Sequence, residues 1–268
     1  MEPAVDSSVL RTRAYADSRH LATRRDIYQY RTTEASFGGW ALSHLPHDLG
    51  RVLDVGCGPG AWMAMLAERH TSRALVGIDL SHGMLKEVDV PRALRCVADA
   101  ENLPLGDGYF DTTLCIHMLY HVPDVDKAIG ELRRVTGPEG VVLVATNGGD
   151  HMSGFRRTFD EVVEAMTKQP SQILTSMRRF RMEEGEGMLA KHFGSVSRDD
   201  FQTELEVPEP QPVIDYMESV RAFHEQKLPE DISWEEAMSG FGDRVRQIIA
   251  REGVFRSPVH AGVYVCGP

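Results

Sequence analysis

Apolar and polar positions along this chain follow two rhythms that take turns. Arg51-Val-Leu-Asp-Val-Gly56 is a short apolar run ending in glycine, which predicts a buried strand and a turn. From Ala61 to His70 the period lengthens, and Trp62, Met65 and Leu66 fall on one helical face. Ala74-Leu-Val-Gly-Ile-Asp79 predicts a second strand, Ala93 to Ala98 a third and Phe110 to Met118 a fourth. The clearest helix comes next. Asp124 is a good N-cap, Val125, Ala128, Ile129, Leu132 and Val135 recur with helical spacing, and Gly137-Pro138 stops it. Val141-Val-Leu-Val-Ala-Thr146 predicts a fifth strand, apolar throughout because a parallel strand is covered on both faces.

After Asn147 the rhythm changes. Phe155, Phe159, Val162, Val163 and Met166 have helical spacing, as do Ile173, Leu174 and Met177, which predicts an inserted helical lid over 150–192. Phe201, Thr203, Leu205 and Val207 alternate as in a strand, and Pro208, Pro210 and Pro212 punctuate. Helical stretches run through Val213–Phe223 and Trp234–Ile249, and Ala261-Gly-Val-Tyr-Val-Cys266 predicts a terminal strand. Strands alternating with helices over short connections predict an α/β fold, a doubly wound and mostly parallel sheet. The expected organisation is one domain. It has a helical cap over 1–40, a core over 50–148, the lid, and strands and helices over 193–268 completing the sheet.

Composition narrows the function. The 268 residues are 42% hydrophobic and 26% charged, ordinary for a globular chain with a core of its own. No apolar run approaches the roughly 18 residues of a membrane helix, and no secretion signal is read at Met1–Leu10. Cys57, Cys96, Cys115 and Cys266 are scattered without a Cys-x-x-Cys pair, which fits a reducing cytosol and argues against a zinc knuckle. The formal net charge of −11 equals that of one stretch, Glu183–Glu236, with 15 acids and four bases. Nucleic acid is therefore an unexpected partner. The opposite bias lies at Arg11–Arg31, six arginines against Asp17 and Asp26. It reads either as a solvated helix face or as a cap bringing a cation to an anionic group of a ligand.

The chemistry concentrates at Gly56-Cys57-Gly58-Pro59-Gly60, between a strand and a helix. Small residues there let the backbone approach a ligand, and the helix N-terminus offers free N–H groups. Asp79 ends the next strand 23 residues after Gly56, where a carboxylate can accept both hydrogen bonds of a ribose diol. Gly56-x-Gly58-x-x-Ala61 also satisfies a dinucleotide fingerprint. Against NAD stand three features. Asp54 suits an ammonium better than a pyrophosphate. Pro59 removes an amide donor from the loop. Asp99-Ala100 ends the third strand, where a carboxylate can accept from an adenine amine.

Val52-Leu-Asp-Val-Gly-Cys-Gly-Pro-Gly60, Val76-Gly-Ile-Asp79, Asp99-Ala-Glu-Asn-Leu-Pro104 and Phe110-Asp111 resemble the class I S-adenosylmethionine methyltransferases, in their type 11 small-molecule subgroup. His117-Met-Leu-Tyr-His-Val-Pro-Asp124 and Thr146-Asn-Gly-Gly-Asp-His-Met152 are similar to bacterial natural-product members. The resemblance implies a seven-stranded sheet with an antiparallel last strand. It implies that Gly56, Gly58 and Gly60 flank the methionine part. Asp79 would hold the ribose and Asp99 with Ala100 the adenine, and Asp54, Cys57, Leu80, Met84 and Glu101 are further cofactor-binding candidates. Tyr15 and Arg24 would cover the cofactor, although Tyr28 stands where a histidine is common.

The resemblance leaves the acceptor open. His117 and His121 follow the fourth strand, and a neutral imidazole can remove an acceptor proton. Either could instead serve a local structural role, with His117 also touching the cofactor. Tyr120 and His151 are the substrate-side candidates. His117-x-x-x-His121 has no carboxylate set beside it, so no metal is expected. Met152, Met166, Met177, Met182 and Met188 read as core packing before an adaptable substrate wall. The expected protein is a cytoplasmic methyltransferase acting on a small molecule in bacterial natural-product biosynthesis. A quinone-pathway-like C-methyltransferase, a non-catalytic cofactor-binding partner and an NAD-dependent oxidoreductase are the alternatives.

Overall fold

The computed structural model describes residues 19–171 and 179–268. The strands are β1 (Arg51–Val55), β2 (Ala74–Asp79), β3 (Leu94–Val97), β4 (Phe110–Ile116), β5 (Thr136–Asn147), β6 (Ser195–Val207) and β7 (Phe255–Gly267). They form one sheet in the order β3-β2-β1-β4-β5-β7-β6, parallel except for β7, which runs antiparallel to both neighbours. The order reverses between β1 and β4, so a crevice opens at the carboxyl ends of these strands, the usual ligand position in such sheets.

Alternating side chains feed two cores. Val142 and Val144 of β5 join one cluster, while Leu143 and Ala145 join the other. The first is covered by α5 (Val125–Val135), which buries all five side chains of its predicted stripe. Asp124 caps α5 as expected, accepting from the Lys127 amide at 3.0 Å. The second is covered by α2 (Phe37–Leu42), α3 (Ala61–Arg69) and α4 (His82–Lys86). On α3 the deeply buried residues are Met63 and Leu66, whereas Trp62 and Met65 are half-buried. Trp62 meets Phe37 edge-on at 6.1 Å.

A third cluster forms a helical layer. Before it in the chain come α1 (Arg19–Asp26) and a short 3-10 turn, Ile27–Tyr30. The layer combines α6 (Ser153–Thr167), α8 (Pro210–Ser219) and α10 (Trp234–Glu252). Phe155, Phe159, Val213, Met217, Trp234 and Phe241 pack there against Leu205, Val207, Phe255 and Val259 of the β6–β7 ribbon, with Ile27. Two smaller helices, α7 (Gly185–Leu189) and α9 (Arg221–His224), complete the chain. Met152 and Met182 are buried, but Met166 is 42% exposed. Tyr15 and the helical spacing through Ile173, Leu174 and Met177 lie outside the described residues.

Three strands are longer than their apolar runs. β5 starts at Thr136 and shifts register between Phe110 and Thr112, so the Gly137-Pro138 stop falls inside strand. β6 begins at Ser195 because Ser195–Asp200 lies on an edge strand, where polar side chains are tolerated. β7 pairs with β6 over its whole length, far beyond the six positions it shares with β5.

Candidate functional site

A cavity of about 740 Å³ lies over the carboxyl ends of the strands. The glycine loop forms its floor. The Gly56 and Cys57 amides donate to the Ile78 carbonyl at 2.7 and 3.0 Å, which ties the loop to β2. Gly56 has a φ of 74°, and a Cβ there would meet Met118 at 2.7 Å. Gly58 has a φ of 54°, with nothing within 4 Å of a built Cβ, so the loop presents bare backbone to open space. Gly60 sits at the N-terminus of α3, outside the lining.

Asp79 lines the cavity, and its carboxylate organises the loop. Oδ2 accepts from the Gly58 amide at 2.9 Å and Oδ1 from the Ser81 amide at 2.7 Å. Burial raises its pKa against these amide bonds. The Leu80 amide also bonds the carboxylate, which keeps lone-pair capacity for a hydroxyl. Leu80 and Met84 line the cavity beside it, as do Asp99 and Ala100. Asp99 accepts from the Glu101 amide through one oxygen, at 2.9 Å. Glu101 is placed differently from the cofactor-binding expectation. Its Oε1 accepts from the Asp124 amide at 2.8 Å, at the start of α5, and it does not line the cavity. Asp54 also stays out of the lining. It is 1% exposed, its Oδ2 has no partner among the described residues, and burial followed by the charge of Asp79 brings its pKa up to about 7.

The other half of the cavity belongs to the acceptor candidates. His117, Tyr120, His121 and His151 all line it. His117 leaves β4 with a φ of 53°, a strained region for a non-glycine residue, fixed by its amide donating to Ala145 at 2.9 Å. Its Nδ1 is buried without a partner among the described residues, and burial brings its pKa down to about 4. His121 lies parallel to Phe223 at 6.0 Å and edge-on to Tyr120 at 4.6 Å. Burial, with help from the charge of Arg24, brings it to about 3. Arg24 lines the cavity here, its guanidinium 5.7 Å from the Phe223 ring.

His151 is locked. Its Nδ1 accepts from the His260 amide at 3.3 Å, so a neutral ring carries its proton on Nε2. That proton faces the Tyr28 hydroxyl, 3.3 Å away. Burial brings His151 to about 3. With its Nδ1 lone pair taken and its Nε2 protonated, His151 is a fixed donor rather than a base. His260 in turn lies between Asp150, at 2.6 Å, and Asp200, at 3.0 Å. Burial pulls its pKa down, but the two carboxylates outweigh this and raise it.

Tyr28, Phe37, Tyr216 and Phe223 also line the cavity, and no sequence spacing marked them as site residues. Each is far in the chain from the residues it meets there, so period alone carries no trace of it. The one available signal was the tyrosine in a histidine's place within an arginine-rich segment.

The fold is Rossmann-like, and one cavity joins the Gly58 and Asp79 side to the His117 and His151 side. Residues 53–144 match the methyltransferase domain family. The chain carries a class I S-adenosylmethionine-dependent methyltransferase domain, and that class sets the cofactor. A curated relative is the malonyl-[acyl-carrier protein] O-methyltransferase of Geobacter sulfurreducens, 39% identical over 103 residues. The match covers 37% of this chain and 39% of the relative, so the chain spans about two fifths of that protein's length. Among solved structures, a candidate methyltransferase from an antibiotic biosynthesis pathway of Anabaena variabilis has a TM-score of 0.62 at 15% identity. That match covers 86% of this chain and 96% of the other. Phosphoethanolamine N-methyltransferase 2 of Haemonchus contortus, solved with phosphomonomethylethanolamine and S-adenosylhomocysteine, has a TM-score of 0.59 at 18% identity. That match covers 98% of this chain and 60% of the other. These two likenesses concern the fold. Among the described residues, no helix is long and apolar enough to cross a membrane.

Proposed function

We propose that this chain is an enzyme that moves the methyl group of S-adenosylmethionine to a small-molecule acceptor, in bacterial natural-product biosynthesis in the cytoplasm. One observation carries the reading: a single cavity joins the Asp79 carboxylate and the bare Gly58 backbone to His117 and His151. The residues fit the cofactor. Gly58 leaves room for a ligand against its Cα, Asp79 keeps lone-pair capacity for a ribose hydroxyl, and Asp99 has one carboxylate oxygen free of the Glu101 amide. When bound, the cofactor supplies a methyl group already activated on a sulfonium.

The chain's own residues then position and exclude water. Asp79 orients the ribose, Asp99 and Ala100 read the adenine, and Gly56 to Gly58 lie along the methionine part. His117 is the group we assign to the acceptor proton, with His121 and Tyr120 shaping the wall beside it. Because its pKa is already low, His117 is neutral throughout the physiological range and ready to accept.

Titration calorimetry with S-adenosylhomocysteine and with NAD tests the cofactor. Mass spectrometry of an acceptor library, seeking products one methylene heavier, tests the transfer. Tight NAD binding, or cofactor binding with no transfer to any acceptor or co-purified ligand, counts against the reading.

A further inference from the structure

The acceptor half of the cavity has a charge and shape that name a ligand class. Five arginines line the cavity, Arg24, Arg25, Arg31, Arg156 and Arg181. Among the described residues its only acids are Asp79 and Asp99, and both sit on the cofactor side, over β2 and β3. Much of this positive charge is already engaged. Arg181 pairs with Glu184, and Arg156 donates to the Gly149 carbonyl at 2.7 Å and to that of His151.

Arg31 is different. Among the described residues its Nε, which is buried, has no hydrogen-bond partner and no carboxylate pairs with its guanidinium, while the side chain as a whole is half-buried. Its backbone bridges to Leu205 of β6, at the far edge of the sheet from β2 and β3. Tyr28 stands three residues earlier, at the other end of a 3-10 turn closed by the Arg31 amide on the Tyr28 carbonyl at 3.3 Å. In that geometry positions i and i+3 share one side. The His151 ring faces the Tyr28 oxygen with its Nε2–H. Tyr28 therefore accepts from His151 and has its own O–H left to donate into the cavity. Phe155, Tyr216 and Phe223 supply apolar wall around this pair.

Resting on the methyltransferase reading, we propose that the acceptor is an apolar molecule bearing a carboxylate. The carboxylate is held by the terminal nitrogens of the Arg31 guanidinium and the hydroxyl of Tyr28. A carboxylate fits the two terminal nitrogens of a guanidinium with two parallel bonds, which would pair the Arg31 charge.

The test uses the full chain saturated with S-adenosylhomocysteine and two probes of equal shape, 4-phenylbutanoate and 4-phenylbutanamide. Titration should show the carboxylate binding about tenfold or more tightly than the amide, as expected for a charge-assisted pair. Arg31→Gln should erase that preference and Arg31→Lys should keep part of it. Tyr28→Phe should weaken the carboxylate severalfold. S-adenosylhomocysteine affinity should be unchanged in all three. Equal binding of the two probes overturns the proposal. So does loss of S-adenosylhomocysteine affinity in Arg31→Gln, because Arg31 would then serve the cofactor's own carboxylate. Failure of S-adenosylhomocysteine to bind the unmodified chain would instead sink the methyltransferase reading. The carboxylate preference would still be measurable on the protein alone.

Discussion

Asp79 carries two loads at once. It fixes the Gly58 and Ser81 amides and, in the proposed function, accepts from a ribose. Asp79→Ala therefore removes charge-assisted hydrogen bonds of about 1.5–3 kcal/mol on the ligand side alone. S-adenosylhomocysteine affinity should fall about 10- to 100-fold by titration calorimetry, and unchanged affinity would remove the ribose assignment. His117 makes a different prediction. An unperturbed histidine base would slow the reaction as pH drops through about 6.5. Burial has brought His117 down to about 4, so the rate should stay flat from pH 8 to 5.5 and fall only near 4. His117→Ala should lower turnover about 10²- to 10⁴-fold with little effect on cofactor affinity. A mutant of full activity would leave the site to work by positioning alone.

Among the elements, the cap and α6 meet through side chains rather than strands. Tyr28 touches His151, which lies just before α6, and Ile27 is buried in the helical layer. If both close over bound cofactor, hydrogen exchange should slow in α1, the 3-10 turn and α6 when S-adenosylhomocysteine is added. Protection confined to β1, β2 and β4 would disprove closure. α5 offers a cleaner number. Asp124→Ala removes the cap and should cost about 1 kcal/mol in denaturant unfolding. The sequence made α5 legible because one face is buried and the period shows through. It also made the β1–α3–β2 unit legible, because glycines and apolar runs mark local geometry. The Ser195–Asp200 part of β6 was hidden, since an edge strand needs no apolar alternation. The Tyr28–His151–His260 chain was hidden as well, because it joins positions more than a hundred residues apart.

At the scale of the whole molecule, several buried groups tie stability to pH. His117, His121 and His151 have folded pKa values of about 4, 3 and 3, below the usual 6.5. As pH falls below about 6.5 the unfolded chain takes up protons that the folded chain refuses, so their contribution to stability is lost. Asp54, raised to about 7, acts the other way, because the folded chain holds a proton that the unfolded chain has released. Asp79 acts in the same direction as Asp54. Three histidines outweigh these acids between pH 6 and 5, at roughly 1.4 kcal/mol per net proton and pH unit. His260, with a raised pKa, contributes stability below about 6.5 that fades as pH climbs through its folded value. The urea midpoint should therefore be highest near neutrality and drop steeply by pH 5. A midpoint that does not move between pH 7 and 5 would contradict this balance.

The position of β7 also governs the order of events during synthesis. This strand sits between β5 and β6, yet it leaves the ribosome after both. About a hundred residues emerge between the end of β5 and the start of β7. Throughout that interval the apolar β5 has one bare edge, and β6 has no neighbour to join. Such an edge invites pairing with another chain. A nascent chain halted at Gly253 should pellet or be held by chaperones, while one extended through Gly267 should stay in the supernatant. The same delay keeps the helical layer waiting, because Phe255 and Val259 form part of its floor. The site would thus assemble last, after the nucleoside half of its sheet is already in place.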